Sequence, residues 1–176
     1  MKTDKRRFAG LLGISALACA IATPLAASAG EQMQIATTKV NKGDKFEVVL
    51  DDKNAGRLVF FTSWHATYKQ TKGGNLFDGV NNTGAGYVDL TQGHGHASGF
   101  DVNEKAGDTY KSGWAADCYT TTGPDGKPQG HCDGGWYVVP NSGTGRFAGL
   151  SGGGTFEAHA LPSGEYEVNS TGTIEK

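Results

Sequence analysis

The segment Gly154-Thr155-Phe156-Glu157-Ala158-His159-Ala160, the break Leu161-Pro162-Ser163-Gly164, and the segment Glu165-Tyr166-Glu167-Val168-Asn169-Ser170-Thr171-Gly172-Thr173-Ile174 read as two strands joined by a tight turn. Successive side chains of a strand point to opposite faces. Phe156, Ala158 and Ala160 therefore share one side, opposed by Thr155, Glu157 and His159. Tyr166, Val168 and Ile174 share a side in the second strand, opposed by Glu165, Glu167 and Asn169. One apolar and one wet face is the pattern of an antiparallel sheet or barrel wall.

The same punctuation runs upstream. Short β-rich runs at 34–40, 45–50, 57–68, 86–92, 94–102, 109–119, 135–139 and 146–150 are separated by turn-forming residues, with hairpin connections at 51–56, 104–108 and 161–164. Residues 72–83, with Gly73-Gly74 and Asn81-Asn82, read as a longer rim or lid loop. No run of ten or more residues carries helical periodicity. The 28 Gly among 176 residues are more than twice the usual ~7 %, and each costs a helix interior roughly 1 kcal/mol. A helical bundle is excluded. Collagen is excluded by the lack of a three-residue period, and a disordered chain by the interleaved Trp, Tyr, Phe and Val. In 57–68 apolar residues occupy both faces (Leu58, Phe60 and Trp64 against Val59 and Phe61). That strand is expected to be buried on both sides, which points to a homo-oligomer or to cover from the long loop.

Residues 1–7 are basic (Lys2, Lys5, Arg6 and Arg7 against Asp4), residues 11–25 are apolar, and Ala27-Ser28-Ala29 offers the small residues of a cleavage site. Residues 1–29 are thus expected to be a cleaved export signal. The tract Lys5-Arg6-Arg7-Phe8-Ala9 resembles a twin-arginine signal with Lys in the first Arg position. What remains, 30–176, is expected to be a single domain in the periplasm or outside the cell. Losing four basic residues and one acidic one moves the formal charge from −2 to −5. Neither nucleic acid nor a membrane surface is an expected partner. Cys118 and Cys132 then form an isolated pair around a turn-rich segment, read as a disulfide in an oxidising compartment; thiolate ligation of a metal together with His131 is the alternative.

Residues 141–156, Asn-Ser-Gly-Thr-Gly-Arg-Phe-Ala-Gly-Leu-Ser-Gly-Gly-Gly-Thr-Phe, followed by Gly172-Thr173-Ile174, resemble a turn and closing strand of the allene oxide cyclase and dirigent-like superfamily. Gly86-Tyr87-Val88-Asp89-Leu90 and Ala106-Gly107-Asp108 are similar as well. The likeness covers about 84–176 and is closest to exported bacterial members. It implies an all-β, eight-stranded antiparallel β-barrel, calycin-like in outline, with a central apolar cavity. In characterised plant relatives such cavities steer cyclisation or coupling of hydrophobic intermediates. No pocket acid or base of the family matches a position here.

Two constellations could carry chemistry. In Gly93-His94-Gly95-His96 the two imidazoles share a face of a strand, as ligands of one transition metal would. The Glu and distant His of a cupin are not at the matching spacing, and the bland reading is a solvated surface strand. The second is aromatic: Trp64, Tyr87, Trp114 and Trp136, with His65, Asp89 and Asp117 nearby in sequence. Such aromatics pack a core or line a pocket. In a pocket, a desolvated His or Asp could move a proton during isomerisation. Phosphate-cradling loops, Gly-x-Ser-x-Gly and a dinucleotide fingerprint are all lacking.

The expected function is an exported barrel binding a small hydrophobic ligand in an aromatic-lined cavity without a cofactor. A cofactor-free isomerase or cyclase using His65, Asp89 or Asp117 is the second reading. A protein binding a transition metal through His94 and His96 is the third.

Overall fold

The computed structural model describes residues 31–123 and 126–176; the expected export signal, 1–29, lies outside the described residues. Among the described residues nine strands form one antiparallel sheet: β1 Gln32–Asp52, β2 Arg57–Thr67, β3 Lys69–Lys72, β4 Asn81–Thr91, β5 His94–Lys105, β6 Asp108–Thr122, β7 Pro128–Val138, β8 Ser151–Ala160 and β9 Tyr166–Glu175. The sheet closes in a ring. From β2 the ladder passes through β4, β5, β6, β7, β8 and β9 to β1, and β1 returns to β2; short β3 hangs on β1.

Closure depends on β1. Its first half, Gln32 to Asn41, pairs with β9, and its second half, Lys42 to Asp52, pairs with β2. The segments 34–40 and 45–50 are therefore one bent strand rather than two. Register shifts at Gly43/Lys45 and Val48/Leu50 supply the bend, as bulges do at barrel rims.

Loops plug one end of the ring. Phe77 and Val80 from the β3–β4 connection and Phe147 and Leu150 from the β7–β8 connection are buried with Ile35, Tyr110, Val138 and Ile174. Phe147 lies 4.8 Å from Tyr110 and 6.4 Å from Phe77 between ring centroids. The rim loop expected at 72–83 is thus an internal plug, and its ends belong to β3 and β4. The strand expected at 146–150 is a 3-10 turn, Gly145–Phe147. Gly145 (φ 49°) and Gly149 (φ 76°) bracket it with left-handed backbone that a strand cannot carry. Arg146 holds the turn down through its Nε, which donates to Asp108 Oδ2 at 3.0 Å.

A second apolar cluster, Val88, Ala97, Ala116 and Cys118 with Phe60, Leu90, Trp114, Cys132 and Phe156 against it, lines the ring toward its other end. Cys118 and Cys132 face one another across β6 and β7 and are joined by a disulfide. The expectation that β2 is covered on both faces is met only in part: outward Val59 is buried, but outward Phe61 is 50 % exposed.

Candidate functional site

Inward side chains of the ring surround a cavity of about 600 Å³. Its walls are apolar and aromatic, with Phe60, Trp64, Trp114, Trp136 and Phe156 among them. The tryptophans fit because the facing strands carry glycine. A Cβ on Gly84 would sit 2.5 Å from the Trp64 ring, and one on Gly86 2.6 Å from the Trp114 ring. Trp64 and Trp114 lie 5.7 Å apart, and Phe156 meets Trp114 edge-on at 6.2 Å. Phe46 and Tyr166 line the cavity where it meets solvent.

Toward the plugged end the cavity turns polar. Lys39, on the same face of β1 as Ile35 and Thr37, is buried, as are Asn82, Asp101, Asn103 and Ser112. The Lys39 ammonium donates to Asn82 Oδ1 at 2.8 Å, and Trp64 Nε1–H donates to the same oxygen at 3.3 Å. Asn82 Nδ2 donates to Asn103 Oδ1 at 2.8 Å, and Asn103 Nδ2 to Ser112 Oγ at 3.0 Å. Ser112 Oγ–H then donates to Asp101 Oδ2 at 3.5 Å. The chain of amides thus starts at a cation and ends at a carboxylate, whose other oxygen lies 3.8 Å from Lys39 Nζ.

Burial pushes the Lys39 ammonium below its ordinary range, and the neighbouring Asp101 charge offsets only part of that shift. The Tyr68 ring lies under the same ammonium, 5.0 Å from Nζ to centroid. Burial raises the Tyr110 phenol, and Asp101 raises it further. Among the described residues, three buried polar side-chain atoms lack a hydrogen-bond partner: Asn41 Oδ1, Asp101 Oδ1 and Trp114 Nε1. All three residues line this cavity. Unpartnered buried polar atoms are rare in folded proteins and each costs on the order of 1–3 kcal/mol. Each of these atoms is sealed within the wall, with essentially no surface open to the cavity.

The residues singled out from sequence divide between two faces. Trp64, Trp114 and Trp136 line the cavity, whereas Tyr87 lies on the outer face, 5.2 Å from Phe61. His65, Asp89 and Asp117 also face outward. His65 Nδ1 pairs with Asp44 Oδ1 at 2.6 Å. Arg57 grips Asp89 through both carboxylate oxygens, at 3.0 and 2.6 Å, and holds that carboxyl below its usual range. Asp117 is exposed and pairs with His96 Nδ1 at 2.6 Å. A proton carried inside the ring thus has Lys39 and Asp101 to work with rather than these three. Alternation decides this: Asp89 is one residue out of phase with inward Val88 and Leu90.

His94 and His96 are on that outer face as well. His94 stacks on Tyr119 at 6.4 Å, and His96 belongs to a cross-strand row Asp89, His96, Asp117, Asp133. This row borders a shallow, solvent-open depression. Among the described residues no three His, Cys, Asp or Glu side chains are grouped to hold a metal ion.

No family model matches the chain, and no curated protein matches it. Among solved structures it is similar to a protein of unknown function from the DUF3224 family of Shewanella oneidensis MR-1. The two share 17 % identity at a TM-score of 0.45, over 83 % of this chain and 99 % of that one.

Proposed function

We propose that this chain is an exported carrier or receptor that holds a small, mostly apolar molecule inside the ring. The observation behind this is the cavity itself. It has about 600 Å³ of space, within the ~300–1,000 Å³ typical of ligand pockets, and aromatic side chains form much of its wall. In this reading the eight strands β1, β2 and β4–β9 are the barrel, β3 is an appendage, and the superfamily resemblance extends to the use of the hollow. Export of 30–176 after cleavage fits a Cys118–Cys132 bridge, which persists in oxidising compartments. Exposed Phe61, Phe100 and Tyr137 on the outer face favour a homo-oligomer.

Native mass spectrometry of protein purified from its own host tests the reading. Retention of a small organic molecule that leaves on denaturation is expected, with an N-terminus near residue 30. Protein that carries nothing, and whose tryptophan fluorescence ignores every apolar compound offered, would overturn it.

A second reading, a cofactor-free isomerase, is favoured by one feature. Lys39 and Asp101 set two groups of opposite proton-transfer sense side by side at the buried end of the cavity, as general acid–base chemistry requires.

A further inference from the structure

We infer that a second copy of this chain docks along the free edge of β1, in antiparallel register about Val48 and Val49, whether or not the ring holds a ligand. The edge arises where β1 changes partners. From Lys42 to Asp52 it pairs with β2 on one side, while β9, which fills its other side, reaches only to Asn41. Among the described residues no strand takes the place of β9 beyond that point. Every residue from Lys42 to Asp51 is exposed, and within this stretch Phe46, Val48, Val49 and Leu50 are 61, 48, 57 and 41 % exposed. Apolar side chains flank the edge on both faces: Val48 is level with inward Phe60, and Leu50, past the register shift, with outward Val59. A long open edge carrying such side chains is a template for a further strand.

The edge carries its own complement in charge. With a two-fold axis between Val48 and Val49, antiparallel pairing sets Lys45 opposite Asp52 of the second copy, and Asp44 opposite Lys53, which follows β1 in the turn. The axis repeats both pairs, so opposite charges bracket the valines at each end. The faces agree as well: Lys45 is level with Ser63 and Asp52 with Arg57, both on the outer face of β2. The extra residue at the register shift keeps that phase equal on the two sides of the axis. Glu47 is already held by Lys45 at 2.6 Å, so it brings no unanswered charge to the apolar centre. A parallel arrangement would instead set Asp44, Lys45 and Asp52 each against its own copy, and like charges directly opposite are destabilising. A second copy therefore supplies the matching strand by symmetry, through an isologous contact separate from the outer-face aromatics Phe61, Phe100 and Tyr137.

The test is sedimentation equilibrium of the full chain as recovered from its host. A dimer is expected at concentrations up to about 100 µM. Asp44→Lys sets a lysine against Lys53, and Lys53→Glu sets a glutamate against Asp44. Each should weaken the dimer about tenfold, because the axis repeats the lost pair. The double variant restores opposite signs in reversed order and should return the dissociation constant to within about threefold of the parent. Both residues are exposed, so the variants leave the core untouched. Loss of the Asp44–His65 pair accompanies the first change and is not repaired by the second, so recovery reports the contact between copies. A parent that stays monomeric would overturn the inference, and so would a double variant as weak as the product of the two single losses. A dimer that ignores all three variants and dissociates in Phe100→Ser would overturn it too, and would move the contact to the outer face.

Discussion

Lys39 and Asp101 face each other across the closed end of the cavity, Nζ to Oδ1 at 3.8 Å, with both side chains almost sealed from solvent. Among the described residues neither forms another ion pair, so each is the counter-ion of the other. Removing one partner of a buried pair strands the other and costs about 3–5 kcal/mol. Lys39→Met and Asp101→Leu should each lower stability by that amount in urea unfolding. The double variant should recover most of the loss, because two apolar residues of similar volume replace the pair without stranding a charge. Additive losses would mean that the two residues act independently.

The glycine bays under the tryptophans predict a steric effect. A Cβ on Gly86 would meet the Trp114 ring at 2.6 Å and Ser98 O at 3.1 Å, so the ring must move rather than flex at its tip. Gly86→Ala should cost about 1–3 kcal/mol, the usual range for overpacking, and should alter the near-ultraviolet circular dichroism of Trp114. An unchanged spectrum with unchanged stability would show that the wall of the cavity yields freely.

β5 shows why part of this molecule was legible in sequence and part was not. The strand itself and its hairpin to β6 follow from β-rich runs around Ala106-Gly107. Its orientation does not. An apolar-inward rule would turn Phe100 and Val102 inside, yet these are 62 % and 48 % exposed while Asp101 and Asn103 are buried. The inversion is sensible only once Asn82, Ser112 and Lys39 are known to wait inside, and ring closure brings those together from strands distant in sequence. β8 and β9 carry no such network, and there alternation alone gave the correct faces. Lys39 had one local signal, its shared phase with Ile35 and Thr37, but a lysine at that phase is meaningful only beside Asp101. In the same way Arg146-Phe147 looks like the start of a strand until the left-handed backbone of Gly145 and Gly149 is seen.

The inverted face of β5 makes a prediction of its own. Because Phe100 is 62 % exposed and contributes little to the interior, Phe100→Ser should change stability by less than about 0.5 kcal/mol, as surface replacements do. If outer-face aromatics hold copies of the chain together, sedimentation velocity of the same variant should show a smaller species than the parent. A stability loss of several kcal/mol would mean that the ring is folded with the opposite face inward.

The bridge between Cys118 and Cys132 closes a loop with a sequence separation of 14. A loop of that size contributes roughly 3 kcal/mol through the unfolded chain. Cys118→Ser with Cys132→Ser should lower the unfolding free energy by about that much. Reduction should add about two daltons to the mass of the intact protein, as two hydrogens are taken up. Two free thiols in protein recovered after export would contradict the pairing.

Alkaline unfolding isolates Tyr110. Its phenol is buried at the plugged end, and burial raises its pKa above the ordinary value of ~10. The sign follows from proton counts. Above pH ~10 the unfolded chain has lost this proton while the folded chain keeps it, so the unfolded state binds fewer protons and stability falls as pH rises. The contribution is fully present below the ordinary phenol pKa. Lys39 works in the opposite sense: burial lowers its pKa in the folded state, so its penalty fades as pH climbs toward the ordinary lysine value of ~10.4. Parent and Tyr110→Phe share Lys39 and the buried Tyr68, whose pKa burial also raises, so their difference reports the Tyr110 phenol together with its charge effect on Tyr68. Tyr110→Phe should match the slope of the parent below pH 9 and lose stability less steeply above pH ~10, read from urea midpoints across that range. Parallel curves to pH 11 would mean that the phenol reaches water in the folded protein, and the plug formed by Phe77, Val80, Phe147 and Leu150 would then have to be open.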